Sequence, residues 1–367
     1  MQDHRAENLA DILVNYSVQV RPGDWVLLGG NVVALPLIHA AARHALRAGG
    51  NVSVMLESDE LEEIALVESS QEQLQWLSPA ETLLMEQVDA IVYVGATANT
   101  RALSGADLEK QRVQQLTQGK LHQIRRRRAA AGELRWVYTE FPCAAFAQDA
   151  DMSLADYEDF VYAATYADQP AGAARCREVY GRDDLRAALF RGHEQVVLRG
   201  PNVALRFSIA GRTFLNSAGR HNAPDGEIYT GPVEDSVNGW IRFTYPAIYG
   251  GREVNGVEMT FEDGRVVQAR ASKNQDFLLK MLDTDAGARY LGEFGIGTNY
   301  QIQHFTRRIL YDEKIGGTIH LAVGSSYPES GGRNESGLHW DFICDMRDEG
   351  EIWVDGERVY QNGAFLE

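Results

Sequence analysis

Cysteine is nearly missing from this chain. Its 367 residues hold three, Cys143, Cys176 and Cys344, far apart and never spaced C-x-x-C. So sparse and odd a set excludes a disulfide framework and a thiolate zinc site, and it suits a reducing compartment. Positive charge is scarce too. Lys and Arg number 35 against 52 Asp and Glu, a formal net charge of −17. That balance argues against nucleic acid as a partner, because phosphate binding needs a basic face. The one concentrated basic stretch, Arg125 to Arg128, lies in an Ala-rich helical segment. It reads as a solvated face or an interdomain ion-pair strip rather than a phosphate site.

Long apolar runs are absent as well. None approaches the roughly 20 residues of a membrane-spanning helix, and the polar start Met1-Gln2-Asp3-His4-Arg5-Ala6-Glu7 has no apolar h-region. No membrane partner and no signal peptide are expected, and the expected location is cytoplasmic. Gly29-Gly30 follows a short strand, yet neither the Gly-x-Gly-x-x-Gly spacing nor the Lys-Ser/Thr of a P-loop is present. It reads as a plain strand-to-helix turn.

What remains is an ordinary globular composition, 44% hydrophobic and 24% charged, in a chain long enough for two domains. Residues 7 to 20 pattern as a helix stopped by Arg21-Pro22-Gly23-Asp24. Apolar strands at Trp25 to Leu28, Asn51 to Leu56, Asp89 to Val94 and Arg135 to Tyr138 alternate with helical stretches. That order predicts an α/β domain over residues 1–185 with a Rossmann-like parallel sheet. Beyond about residue 195 short strands such as Asn202 to Ile209, Val257 to Phe261 and Val266 to Ala271 are joined by turns like Glu262-Asp263-Gly264. Residues 186–367 are therefore expected to form an α+β, largely antiparallel domain, and the chemistry-bearing residues fall in it.

The tightest piece is His339-Trp340-Asp341. In a strand, residues i and i+2 share a face, so imidazole and carboxylate point the same way while Leu338, Trp340 and Phe342 point the other. Burying such a pair is costly unless something binds it, which makes a metal the first hypothesis. Glu227 lies in a loop flanked by Pro and Gly, Glu293 among Gly292, Gly295 and Gly297, and His320 in the apolar run Thr318 to Val323. Singly, a strand His can be a satisfied structural residue and a Glu between glycines a surface turn. Together, two His and three carboxylates are the right number for two divalent cations sharing a carboxylate, and such a pair can polarise a carbonyl and activate water. Nitrogen and oxygen donors suit zinc or cobalt, with manganese or magnesium as alternatives. Tyr327 follows a Gly-Ser-Ser turn and can donate a hydrogen bond to a developing oxyanion.

The segments Gly132-Glu133-Leu134-Arg135-Trp136, Pro224-Asp225-Gly226-Glu227, Gly231-Pro232-Val233-Glu234-Asp235-Ser236, Gly292-Glu293-Phe294, Asp312-Glu313-Lys314-Ile315, Gly317-Thr318-Ile319-His320 and Gly337-Leu338-His339-Trp340-Asp341 resemble the aminopeptidase T and aminopeptidase S family of metalloaminopeptidases. The resemblance runs through most of the chain. It implies a two-domain, cytoplasmic, homodimeric exopeptidase acting on short peptides with two metal ions. It places Glu227, Glu293, His320, His339 and Asp341 on the metal ligands, with Glu293 bridging, and Tyr327 on an active-site tyrosine. Glu293 is then also the expected general base, with Glu313 second. The rival reading is a mononuclear non-haem iron ring-cleaving dioxygenase, for which His320, His339 and Asp341 alone would suffice.

Overall fold

The computed structural model describes residues 3–366. The chain divides into two compact units. One runs through Cys176 and regains Gly219–Pro224; the other comprises Arg177–Ala218 and the chain from Asp225 onward. The boundary expected after residue 185 falls inside the helix Gly172–Ala188, which the division crosses at Cys176/Arg177.

The first unit is built on a five-stranded sheet in the order Asn51–Glu57, Trp25–Asn31, Ala90–Gly95, Arg135–Glu140, Asn222–Ala223. Every neighbouring pair is parallel. Its inner strands are near-continuous apolar runs (Val26, Leu27, Leu28; Ile91, Val92, Val94), all buried, as a parallel sheet covered by helices requires. Helix Leu35–Arg47 buries Leu37, Ile38, Ala40, Ala41 and Ala45, a stripe with helical spacing. The first helix begins at His4, earlier than its periodicity predicts, because Asp3 caps it by accepting from the Arg5 N–H. It widens into a π-turn over Ile12–Ser17 and stops there. Gly30, at φ +151°, lies so close to the neighbouring strand that a Cβ would sit 2.3 Å from the Val94 carbonyl oxygen. Gly29-Gly30, expected as a strand-to-helix turn, is therefore part of the strand itself, where glycine permits the close approach.

The basic run also finds its place in this unit. It lies in helix Leu108–Ala130. Arg126 and Arg127 are exposed. Arg128, however, is buried and donates to the carbonyls of Met85 (2.9 Å), Val88 (2.9 Å) and Glu133 (3.2 Å). The Arg125 guanidinium lies 4.6 Å over the Trp136 ring, which stacks on His221. Half of the run is structural, a role that a count of charges does not reveal.

The second unit packs two antiparallel sheets around one core. The larger has eight strands, from Arg265–Arg270 at one edge, through Val203–Ser208 and Gln195–Gly200, to Ala364–Phe365 at the other. The smaller runs His339–Asp345, Thr318–Gly324, Leu291–Gly297, Glu227–Thr230, Leu215–Ser217. Leu198, Leu205 and Phe207 from the first sheet meet Ile228, Phe294, Ile296, Ile319, Leu321, Trp340 and Phe342 from the second in a single cluster. Phe207 and Phe294 touch edge to face at 5.0 Å. The α/β unit with a parallel sheet and the mainly antiparallel second unit are the two fold classes expected from the sequence.

Candidate metal centre

Alternation along the smaller sheet decides what its other face carries. With Ile228, Phe294, Ile319, Leu321, Trp340 and Phe342 in the core, the intervening positions Glu227, Tyr229, Glu293, Gly295, His320, His339 and Asp341 share the opposite face. A β-bulge between Leu291 and Glu293 assists: both Leu291 and Phe294 enter the core, and the extra residue turns Glu293 outward. The segment around Glu227, expected as a loop, begins a strand, and Glu293 with its glycines also lies in a strand. The physical reason lies at Gly295, paired opposite His320. A Cβ there would lie 2.0 Å from His320 Nε2, so glycine is what makes room for the imidazole on a crowded sheet face.

All five expected side chains converge. His320 Nε2 lies 3.3 Å from Glu227 Oε2 and 3.7 Å from Glu293 Oε1. His339 Nε2 lies 3.4 Å from Glu293 Oε2 and 3.7 Å from Asp341 Oδ2. The two oxygens of Glu293 thus face different imidazoles. Two triples result, Glu227–Glu293–His320 and Glu293–His339–Asp341, each with donor atoms within 4.8 Å of one another. His339 Nδ1 lies 2.9 Å from the Ser325 carbonyl oxygen. With Nδ1 engaged by that carbonyl, Nε2 is the ring nitrogen that faces the carboxylates and can ligate a metal once deprotonated.

Electrostatics describe a pocket built for positive charge. Burial pushes the Glu227 carboxyl up to about 8 against the opposing charge of Lys314. Glu293 is just as buried, yet the adjoining His320 and His339 imidazoles outweigh that and draw it down to about 2. Burial disfavours both imidazolium ions. The neighbouring carboxylates of Glu293 and Glu227 nevertheless raise His320 to about 9, and Asp341 with Glu293 raises His339 to about 10. Protons therefore stand where cations would. Glu227 Oε2, Asp341 Oδ1 and His320 Nδ1 are buried without a hydrogen-bond partner. Three carboxylates and two imidazoles with orphaned oxygen atoms fit a pair of divalent ions.

Tyr327 places its ring edge-on to His339 and to Tyr229, both at 5.4 Å. The charge of Glu293, followed by burial, pushes its phenol well above the usual range, so it stays a protonated donor. Two neighbours escaped the sequence reading. Tyr229 shares the sheet face with Glu227 by the same i, i+2 rule, which could have found it. Lys314 is fully buried, with Nζ 3.6 Å from Glu227 Oε1 and against Glu313 Oε1. In sequence, Glu313-Lys314 is indistinguishable from a solvated pair.

A two-unit fold with a His/carboxylate centre on the second unit's sheet has the donor set of a metal-dependent protein. The family model of thermophilic metalloprotease (M29) matches residues 2–365, and the chain belongs to that family. It is similar to aminopeptidase AmpS of Bacillus subtilis (26% identity, 97% of each chain covered) and to aminopeptidase T of Thermus thermophilus (25%, 98% of this chain and 95% of the relative). Among solved structures, wild-type AmpT from Thermus thermophilus superposes with a TM-score of 0.86 at 23% identity over the whole of both chains. A 2,5-dihydroxypyridine dioxygenase from Pseudomonas putida KT2440 shares the fold at a TM-score of 0.63 and 13% identity, covering 98% of this chain and 96% of that one.

Proposed function

We propose that the chain is an aminopeptidase that removes N-terminal residues from short peptides with two divalent ions held by Glu227, Glu293, His320, His339 and Asp341. One observation carries the reading: Glu293 divides its oxygens between His320 and His339 and so belongs to both triples. The relatives' names and the family support the activity. When bound, zinc, cobalt, manganese or magnesium ions would polarise the scissile carbonyl and lower the pKa of the attacking water.

The chain's own residues do the rest. Glu293 is held ionised at neutral pH by its two imidazoles, and as general base it accepts the water's proton and returns it to the leaving amine. Tyr327 stays protonated and donates a hydrogen bond to the oxyanion as the carbonyl becomes tetrahedral. Ser325 holds the His339 ring in place from behind. Glu313 contributes Oε1 to Lys314, which leaves it the lesser candidate for base. We also read the enzyme as homodimeric and cytoplasmic. Three buried free cysteines accord with that location, and among the described residues no helix is long and apolar enough to cross a membrane.

The test is release of amino acids from dipeptides and amino-acid anilides by metal-loaded protein. Activity should vanish with chelator and return with zinc, cobalt or manganese. A protein inactive after reconstitution with all three contradicts the reading. The fold likeness to a dioxygenase supports a second reading as a mononuclear iron enzyme. It leaves Glu227 without a task, and the family assignment does not favour it. One iron per chain with oxygen uptake on a dihydroxypyridine would reverse the order.

A further inference from the structure

Lysine is almost never fully buried unless its charge is paired, yet the Lys314 side chain has no solvent exposure. Its ammonium lies 3.6 Å from Glu227 Oε1 and touches Glu313 Oε1, and the Asp225 carboxylate adds to the field around it. The backbone fixes this placement. Lys314 N–H donates to the Tyr311 carbonyl at 3.0 Å, and the Lys314 carbonyl accepts from Asn299 N–H at 3.1 Å. Asn299 Nδ2 in turn donates to the Asp225 carbonyl at 2.9 Å, two residues before Glu227. The segment bearing the ammonium and the strand bearing the carboxylate are thus tied together.

Glu227 presents two unlike oxygens. Oε1 faces the ammonium; Oε2 is 3.3 Å from His320 Nε2, buried and without a hydrogen-bond partner. We propose that Lys314 is a positioning residue: its ammonium holds Glu227 Oε1 and leaves Oε2 alone to ligate a divalent cation at the Glu227–Glu293–His320 triple. The inference rests on the reading above only in taking that triple as a cation site. Two physical effects support it. An unpinned carboxylate can rotate or chelate through both oxygens, and outer partners that fix a ligand's orientation govern metal affinity. In addition, Glu227, Glu293 and Glu313 crowd their negative charge in a buried space, which one fixed positive charge offsets. Lys314 thus does for Glu227 what the Ser325 carbonyl does for His339.

The experiment is cobalt titration of the metal-free full chain, followed by visible absorption and by equilibrium dialysis, for the wild type, Lys314→Met, Lys314→Arg, Glu227→Gln and the Glu227→Gln/Lys314→Met double variant. Lys314→Met should weaken one bound cobalt by about 10- to 100-fold and leave the other unchanged. Lys314→Arg should retain most of the affinity, and in the Glu227→Gln background Lys314→Met should add no further loss. Equal weakening of both ions, unchanged affinity, or the same loss in the Glu227→Gln background would each overturn the proposal. Should Lys314→Met fail to fold, the double variant, which removes both charges, carries the comparison against Glu227→Gln. A wild type that takes a single cobalt contradicts the two-ion reading alone. The Lys314 proposal then stands if that ion weakens in Lys314→Met and falls if it does not.

Discussion

The two halves of the centre share Glu293 but differ in access. On one side Glu227 and His320 are sealed, with side-chain exposures of 8% and 1%, and Lys314 backs them with a buried ammonium. On the other, His339 is 28% exposed and the exposed Tyr327 ring stands against it. A sealed, charge-compensated half is suited to holding an ion permanently. The half that opens to solvent is where a substrate carbonyl can arrive, beside a protonated phenol. On the proposed function, Glu293 would join an ion-holding side to a reactive side.

Breaking the shared element should have the largest effect. Glu293→Gln removes a donor from both triples, and kcat is expected to fall by about 10³-fold or more, with metal content lowered at both positions. An activity loss with full metal occupancy would show that Glu293 acts as base without bridging. Next comes Tyr327→Phe, which touches only the open half. Steady-state kinetics should give a kcat lower by about 10²- to 10³-fold with metal content unchanged. A variant that lost metal instead would make Tyr327 a ligand rather than an oxyanion donor.

Gly295→Ala addresses the sealed half. Its methyl would collide with His320, and overpacking of this kind costs about 1–3 kcal/mol of stability. The expected outcome is a lower Tm and weaker binding of one ion, with the His339 side retained. A Tm equal to that of the wild type would show that the imidazole does not need the space.

The smallest effect is graded with pH. In the metal-free protein His320 and His339 are raised to about 9 and about 10, well above the ordinary 6.5. Their stabilising charge is fully present below about pH 6.5 and is lost as pH rises through 9 to 10. Metal binding must displace these protons, so it runs the other way and tightens by at most about tenfold per pH unit for each proton released. Thermal melts with and without metal should diverge as pH rises from 6.5 to 10. Parallel curves would mean that these imidazoles are not the groups a cation displaces.

His339 and Asp341 were legible because strand alternation is local: two residues apart means one face, whatever the rest of the fold does. His320 stood out as a polar residue in an apolar run. Glu227 and Glu293 were legible as donors, but the strand that begins at Glu227 was read as a loop. Glycine ordinarily weakens a strand, and only the long-range pairing of Gly295 with His320 shows why it belongs there. Lys314 was not legible at all. Nothing local separates a buried ammonium from a surface one, since its burial is a property of the turn that closes over Glu227. The parallel and antiparallel sheets followed from strand lengths and spacing. Arg128, binding three carbonyls inside the first unit, shows the limit of reading a charge run by composition.

On the proposed function, Glu293 is shared between two ions. Anomalous scattering from a metal-loaded crystal, recorded at the zinc, cobalt and iron edges, tests it most directly. Two peaks about 3.5–4 Å apart are expected, one beside Glu227 and His320, the other beside His339 and Asp341, with Glu293 between them. A single iron peak held by His320, His339 and Asp341, with Glu227 unengaged, would contradict it.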